Sequence, residues 1–193
     1  MKKILFGLFA LSTLAFGAIG DDHLYLRAEF SPFSKYDLDN GAKVDNKDRI
    51  NGAAYGIAVE TTREVLYNLE IGLGVAYQWN GEFDYNNNYK GKDLPDFNSI
   101  PVYITGKYAL YNGDNWTPYI KADIGYSFND IEDNEKFSYE NGLYYGIGFG
   151  MEIQNLSLEM SYRVNEGKLK TDHGKYDIDN SRVMFGAAYK FNF

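Results

Sequence analysis

Few residues in this chain could do acid–base or nucleophilic chemistry, and their spacing decides how they read. There are two histidines, His23 and His173, and no cysteine. Without thiols there is no disulfide framework, thiolate metal site or cysteine nucleophile. His173 follows Asp172 in a polar stretch and stands eight residues before Ser181. A serine nucleophile needs a base within hydrogen-bond reach, and that base needs a third group to orient it. No motif fixes such a triad, so His173 reads as a solvated loop histidine and no catalytic residue is assigned. Two acidic stretches, Asp37-x-Asp39-x-Gly41 and Asp177-x-Asp179, have part of a calcium-loop spacing. Neither carries the glycine and distal glutamate at the required offsets. They read as solvated charge, and no metal or cofactor is assigned.

A better-defined constellation is ionic. Six acids (Glu29, Glu60, Glu70, Asp123, Glu152 and Glu159) and six bases (Arg27, Lys107, Lys121, Arg163, Arg182 and Lys190) occupy alternate positions of segments whose other positions are apolar. Glycine, alanine and other small residues are interleaved with them. A solvated face needs no such balance of sign. A closed interior does, because an unpaired buried charge costs several kcal/mol. The twelve are expected to form a salt-bridge network lining a lumen. The glycines at 72, 74, 146, 148 and 150 are expected to leave local water pockets in it. The surplus acid falls mainly between these segments, notably at Asp130, Glu132, Asp133 and Glu135.

The elements that position these residues are strands. In 182–193 the odd positions are Val183, Phe185, Ala187, Tyr189, Phe191 and Phe193, while the even ones, Met184 apart, are polar or small. Successive strand side chains point to opposite faces, so this period of two marks a strand with one apolar face. The same alternation recurs over 24–30, 53–60, 69–79, 100–108, 120–128, 143–153 and 156–164. That makes eight strands, near the ~9–11 residues a tilted membrane strand requires. Short connections fall at 61–68, 111–115 and 154–155, and long polar ones at 34–51, 81–98, 129–141 and 165–181. Short periplasmic turns with long external loops are the layout of an outer-membrane barrel. Pro101 and Pro118 fall near strand starts, where a missing ladder donor matters least.

No charge falls on the apolar face of any of these strands. A lipocalin-like soluble barrel hides its apolar side chains; the charge balance argues for the reverse, with the apolar face toward lipid. Phe30, Tyr77, Trp79, Tyr126, Phe128 and Tyr162 bunch at outer strand ends, and Tyr108, Trp116, Tyr189, Phe191 and Phe193 at inner ends, as two interfacial girdles would. The chain is 193 residues long with a net charge of −8. The length suits one domain, and the acidic balance argues against nucleic acid as a partner. Lys2 and Lys3 precede an apolar run over 4–16 and small residues at Gly17, Ala18 and Gly20. This reads as a secretory signal over 1–20, cut after Gly17 or Gly20, with a barrel domain over 21–193.

On these residues the chain resembles the eight-stranded outer-membrane barrel superfamily that includes the OmpA membrane domain and OmpX. Its ending, with Tyr189, Phe191 and Phe193 alternating, is similar to the family's C-terminal assembly signal. The resemblance implies recognition by the barrel-assembly machinery; outer-membrane lipid and lipopolysaccharide are the further partners expected, the loop acids and lysines meeting the lipopolysaccharide surface through bridging cations. The tail departs from OmpA proper, which continues into a peptidoglycan-binding domain. The expected fold is an all-β, eight-stranded antiparallel up-and-down transmembrane barrel. The expected role is structural or surface-interacting, with four polar loops offered to an extracellular ligand. A narrow small-solute or ion pore is the alternative, and a lipid-modifying outer-membrane enzyme a more distant one.

Overall fold

The computed structural model describes residues 22–39, 53–80, 97–131, 138–171 and 174–192. Within them lie nine strands: β1 (Asp22–Asp39), β2 (Ala54–Leu66), β3 (Leu69–Asn80), β4 (Phe97–Ala109), β5 (Thr117–Ile131), β6 (Ser138–Glu140), β7 (Gly142–Ile153), β8 (Leu156–Thr171) and β9 (Gly174–Asn192). The short β6 and β7 pair with successive stretches of β8 and form one stave broken at Asn141. Eight staves therefore run antiparallel to their neighbours, and the pairing of β1 with β9 closes the sheet. Closure leaves the membrane-spanning wall without an open edge, as hydrocarbon requires of any spanning sheet.

The side-chain period sorts this wall into two faces. Ile57, Ile104, Ile124, Ile147, Phe149, Tyr162 and Phe185 are exposed on the outside. Arg27, Glu60, Lys121, Arg163 and Arg182 are buried within. Tight turns join β2 to β3 and β7 to β8. Each places a non-glycine residue at positive φ, Asn68 at 68° and Gln154 at 55°. Asparagine tolerates this conformation because its short side chain bonds locally. Ring pairs gather near the strand ends: Phe30 with Tyr55 (centroids 5.4 Å apart), Tyr77 with Trp79 (4.6 Å) and Tyr126 with Phe128 (5.4 Å) at one rim, Tyr189 with Phe191 (4.7 Å) at the other.

The stretch 165–181 is not a long loop. β8 and β9 continue as a hairpin to Thr171 and Gly174, in register through Glu166↔Asp179, Lys168↔Asp177 and Lys170↔Lys175. β1 follows them, pairing Lys35↔Ser181, Asp37↔Asp179 and Asp39↔Asp177. These strands have 16, 19 and 18 residues, well beyond a membrane crossing. Their outer parts are rich in charge and carry only two-residue runs of alternation, Tyr36 with Leu38 in β1 and Tyr176 with Ile178 in β9, too short to mark a strand although the backbone ladder continues. The expected 61–68 connection is likewise mostly strand, since β2 runs to Leu66. β1 pairs with β2 only as far as Ser31↔Ala54, and its register on β9 shifts between Phe30 and Phe33. Pro32 lies in that bulge, where a residue with no N–H costs no ladder bond. Pro101 sits inside β4 rather than at its start; the β3–β4 pairs skip from Val75↔Val102 to Gln78↔Ser99 around it.

The outer face sets a direct test. Ile124 is 63% exposed in the middle of β5. Ile124→Lys should destabilise the barrel by about 2–4 kcal/mol, the cost of a cation at the bilayer midplane. Reversible urea unfolding in phospholipid vesicles measures it; an unchanged midpoint would show that this face does not meet lipid.

Candidate functional site: the ionic lumen

Ten of the twelve alternating charges are buried, while Glu152 and Lys190 are partly exposed. They lie at successive depths. Nearest the short turns, Lys107 Nζ is 2.6 Å from Glu152 Oε1 and 2.8 Å from Glu70 Oε1. Lys190 reaches the same carboxylates at 3.4 and 3.5 Å. The Tyr25 hydroxyl accepts from Lys107 and lies 2.9 Å from Glu152 and 3.2 Å from Glu70, giving its single proton to one of them. Thr62 donates to Glu70 at 2.6 Å, and His23 Nε2 stands 3.9 Å from Glu70 Oε1. At this rim Arg63 forks onto Asp22 with bonds of 2.7 and 2.6 Å.

The middle of the barrel is organised by Glu60. It accepts from Lys121 at 2.5 Å, Tyr103 at 2.7 Å and Arg27 at 3.1 Å. Arg27 also lies 2.9 Å from Glu159 and 3.7 Å from Glu29. Arg163 bonds Glu29 at 2.7 Å and reaches Glu159 at 3.5 Å. Asp123 is 3.5 Å from Lys121. Tyr119 bonds Ser157 at 2.6 Å and donates toward Glu159 at 3.1 Å. The outer level carries side-chain amides instead. Arg182 donates to Asn80 Oδ1 and Gln78 Oε1. Asn165 donates to Gln78 at 3.0 Å, and Asn80 to Ser99 at 3.0 Å.

Many of these contacts join staves that are not neighbours. Lys121 on β5 meets Glu60 on β2, Lys107 on β4 meets Glu152 on β7, and Asn165 on β8 meets Gln78 on β3. Eight strands leave an interior just wide enough for such spanning side chains. The expected water pockets at the glycines are not there, because neighbours fill the space. A side-chain carbon on Gly74 would lie 2.4 Å from the Tyr103 ring, and one on Gly150 2.4 Å from the Tyr119 ring. At Gly146 and Gly148 it would meet Arg163 and Ser161 at 2.9 Å, and at Gly72 the Thr61 carbonyl. Each glycine is the seat of a larger partner.

The twelve charges thus share one interior, whereas other candidates do not join them. Ser181 lies in β9 opposite Val164 and Lys35. Asp172 and His173 fall outside the described residues, as does Phe193. Both aspartate pairs, at 37 and 39 and at 177 and 179, are strand positions in register with each other and not calcium loops. Among the described residues no group of three or more His, Asp and Glu side chains could hold a metal ion. Alternation and balance of sign singled out the charges, but that reading missed the tyrosines and amides that tie them together. Tyr25, Tyr103, Tyr119, Gln78, Asn80 and Asn165 have the same inward parity, and that parity was the available signal. Arg63 was hidden inside a presumed turn.

This architecture matches known proteins. The sequence profile of the outer membrane protein beta-barrel domain matches residues 4–191. The chain belongs to that family. Family membership and the lipid-facing wall place it in the bacterial outer membrane. Along its whole length it is similar to "Uncharacterized protein PM1543" of Pasteurella multocida (strain Pm70), 25% identical with 99% of this chain and 98% of that protein aligned. Among solved structures, Neisserial surface protein A (NspA) shares the fold with a TM-score of 0.55 at 15% identity, covering 87% of this chain and 97% of that one. OprG of Pseudomonas aeruginosa has a TM-score of 0.54 at 18% identity, covering 89% and 96%. Ail of Yersinia pestis, in complex with the heparin analogue sucrose octasulfate, has a TM-score of 0.50 at 16% identity, covering 90% and 100%.

Two predictions test the interior. The Arg163 side chain is 1% exposed and is the 2.7 Å partner of Glu29. Arg163→Met should lower stability by about 3 kcal/mol, since it leaves the buried Glu29 with only Arg27, 3.7 Å away. Lys190 is 14% exposed and shares its carboxylates with Lys107, so Lys190→Met should cost about 1 kcal/mol or less. Urea titrations in detergent micelles compare the two. In the same assay Gly150→Val should cost about 3 kcal/mol or more by forcing aside both the Tyr119 ring and the Leu158 backbone carbonyl, 2.5 Å from the added carbon. Gly106→Val, on the outer face with nothing within 4 Å of the added carbon, should be nearly neutral.

Proposed function

We propose that this protein is a closed barrel that serves the outer membrane as a structural and surface-interacting element, not as a solute channel. The observation that carries this reading is the set of ion pairs and amide bonds crossing the lumen between opposite staves, notably Lys121–Glu60 and Asn165–Gln78. An open pore keeps its opposed walls apart. Here they are tied at every depth by groups whose separation is costly. The outward continuation of β1, β8 and β9 supports display, because a paired ladder holds a surface above the membrane more firmly than a free loop.

In this reading the leader over 1–20 is removed on export after Gly17 or Gly20. Tyr189, Phe191 and Phe193 are the segment taken up by the barrel-assembly machinery. The outer segments meet lipopolysaccharide, and their acidic surplus favours contact through bridging divalent cations. Ail is known bound to a heparin analogue; the net charge of −8 here favours a cation-bridged ligand over a free polyanion.

The pore reading keeps one observation in its favour. The Tyr144 and Thr105 hydroxyls and the Asn180 amide are buried without a protein hydrogen-bond partner, and such groups are commonly served by internal water. Planar-bilayer recording separates the two. The purified barrel should give no steady single-channel steps, and salt-dependent steps would establish the pore instead. On the display side, binding of magnesium-loaded lipopolysaccharide should fall when residues 81–96 and the hairpin end 166–179 are shortened to tight turns. Binding that survives this trimming with the barrel intact would sink the display role.

A further inference from the structure

Tyr144 faces inward and is fully buried, but it ties no charge. Its hydroxyl has no hydrogen-bond partner among the described residues, whereas Tyr25, Tyr103 and Tyr119 each reach a glutamate. Its ring accounts for its place. Strand pairing sets Gly74, Tyr103, Gly125 and Tyr144 in one row across β3, β4, β5 and β7. Gly125 puts no side chain between the two tyrosines, and a carbon added there would meet the Val102 carbonyl and the Tyr103 backbone. The two rings stand 5.1 Å apart with a tilt of 42°. Ala58 and Ala76, paired on β2 and β3, join them in one buried apolar cluster.

This cluster separates two polar levels of the lumen. On its inner side Tyr103 donates to Glu60, which also holds Lys121 and Arg27. On its outer side Asn165, the residue opposite Tyr144, bonds Gln78, and Arg182 donates to Gln78 and Asn80. On the far side of the lumen Arg163 of β8 and Glu29 of β1 close on each other at 2.7 Å. Water or an ion on either polar level finds charges, amides and hydroxyls to replace its hydration. Between Glu60 and Gln78 the wall formed by β2, β3, β4 and β7 offers it methyls and ring faces instead. Apolar constrictions close a passage by dewetting. The two rings are held differently, Tyr103 by its bond to Glu60 and Tyr144 by packing alone.

We infer that the Tyr103–Tyr144 ring pair, with Ala58 and Ala76, forms an apolar septum that shuts the lumen to water and small ions. The inference rests on the closed-barrel reading and locates its closure. The polar ties hold the walls together; the septum is the barrier to passage, and Tyr144 is the residue on which it depends.

Planar-bilayer recording of the full barrel and its variants, beside their β-sheet circular dichroism, tests this. Tyr144→Ala should turn silence into steady, salt-dependent steps. Tyr144→Phe keeps the ring, deletes only the hydroxyl without a partner and should stay silent. Asn165→Ala cuts the outer tie to Gln78 and leaves both rings, so it should stay silent too. A silent wild type with a folded but silent Tyr144→Ala sinks the septum alone, as does an Asn165→Ala that conducts as well as Tyr144→Ala. Steps from the wild type would overturn the closed-barrel reading and the septum together. A second measurement needs no variant. In the wild-type barrel in micelles, isotope-labelled methyls of Ala58 and Ala76 should show no nuclear Overhauser effect from water. Water cross-peaks at both methyls would overturn the septum even where Tyr144→Ala fails to fold.

Discussion

Everything in this barrel answers to one constraint: ionic groups that leave water must find partners inside. Lipid solvates the outer face, so the usual sorting of side chains is inverted, and the charges have nowhere to go but the lumen. There a lone carboxylate or guanidinium is costly. Glu60 illustrates the solution by drawing a lysine, an arginine and a tyrosine from three other staves onto one carboxylate. Such pairs reach across the barrel, so they neutralise charge and fix the separation of opposite walls together.

Packing follows from the same demand. Long charged chains need room, and glycines on the inner face supply it. The Tyr103 ring lies over Gly74 and the Tyr119 ring over Gly150, so each phenol can reach a glutamate near the axis. Depth adds a gradient. The carboxylates occupy the inner and middle levels, while Gln78, Asn80, Ser99 and Asn165 make the outer level one of neutral amides and hydroxyls around Arg182. A lumen tied by ion pairs below and by amides above is stiff along its length. That stiffness suits a support for outer strands better than a passage.

The alternation of charged and apolar residues made strand existence, strand number and the sorting of faces readable. Phe185, Ala187 and Tyr189 against Gly186, Ala188 and Lys190 could be nothing else. The rule failed where its physical basis stopped. Above the membrane neither face of the β8–β9 hairpin needs to be apolar, so Glu166 to Thr171 looked like loop while forming a ladder. It failed again at Arg63, a buried cation at the end of a strand that was taken for turn. The glycines misled for a third reason, since their vacancy is filled by residues such as Tyr103 and Arg163 from the adjoining strand.

The order of the residues alone determined the period of two, the balance of six acids with six bases, and so the inverted barrel, because these depend only on local strand geometry and on solvation. It did not determine who meets whom. Lys121 and Glu60 are sixty-one positions apart, and Asn165 and Gln78 eighty-seven. Strand tilt and the stagger of closure choose those partners, and both belong to the closed sheet as a whole. The joined turns at the inner rim are decided by pairing too, since the β3–β4 register that sets Leu69 against Tyr108 brings Asn68 beside Ala109 and Asn112.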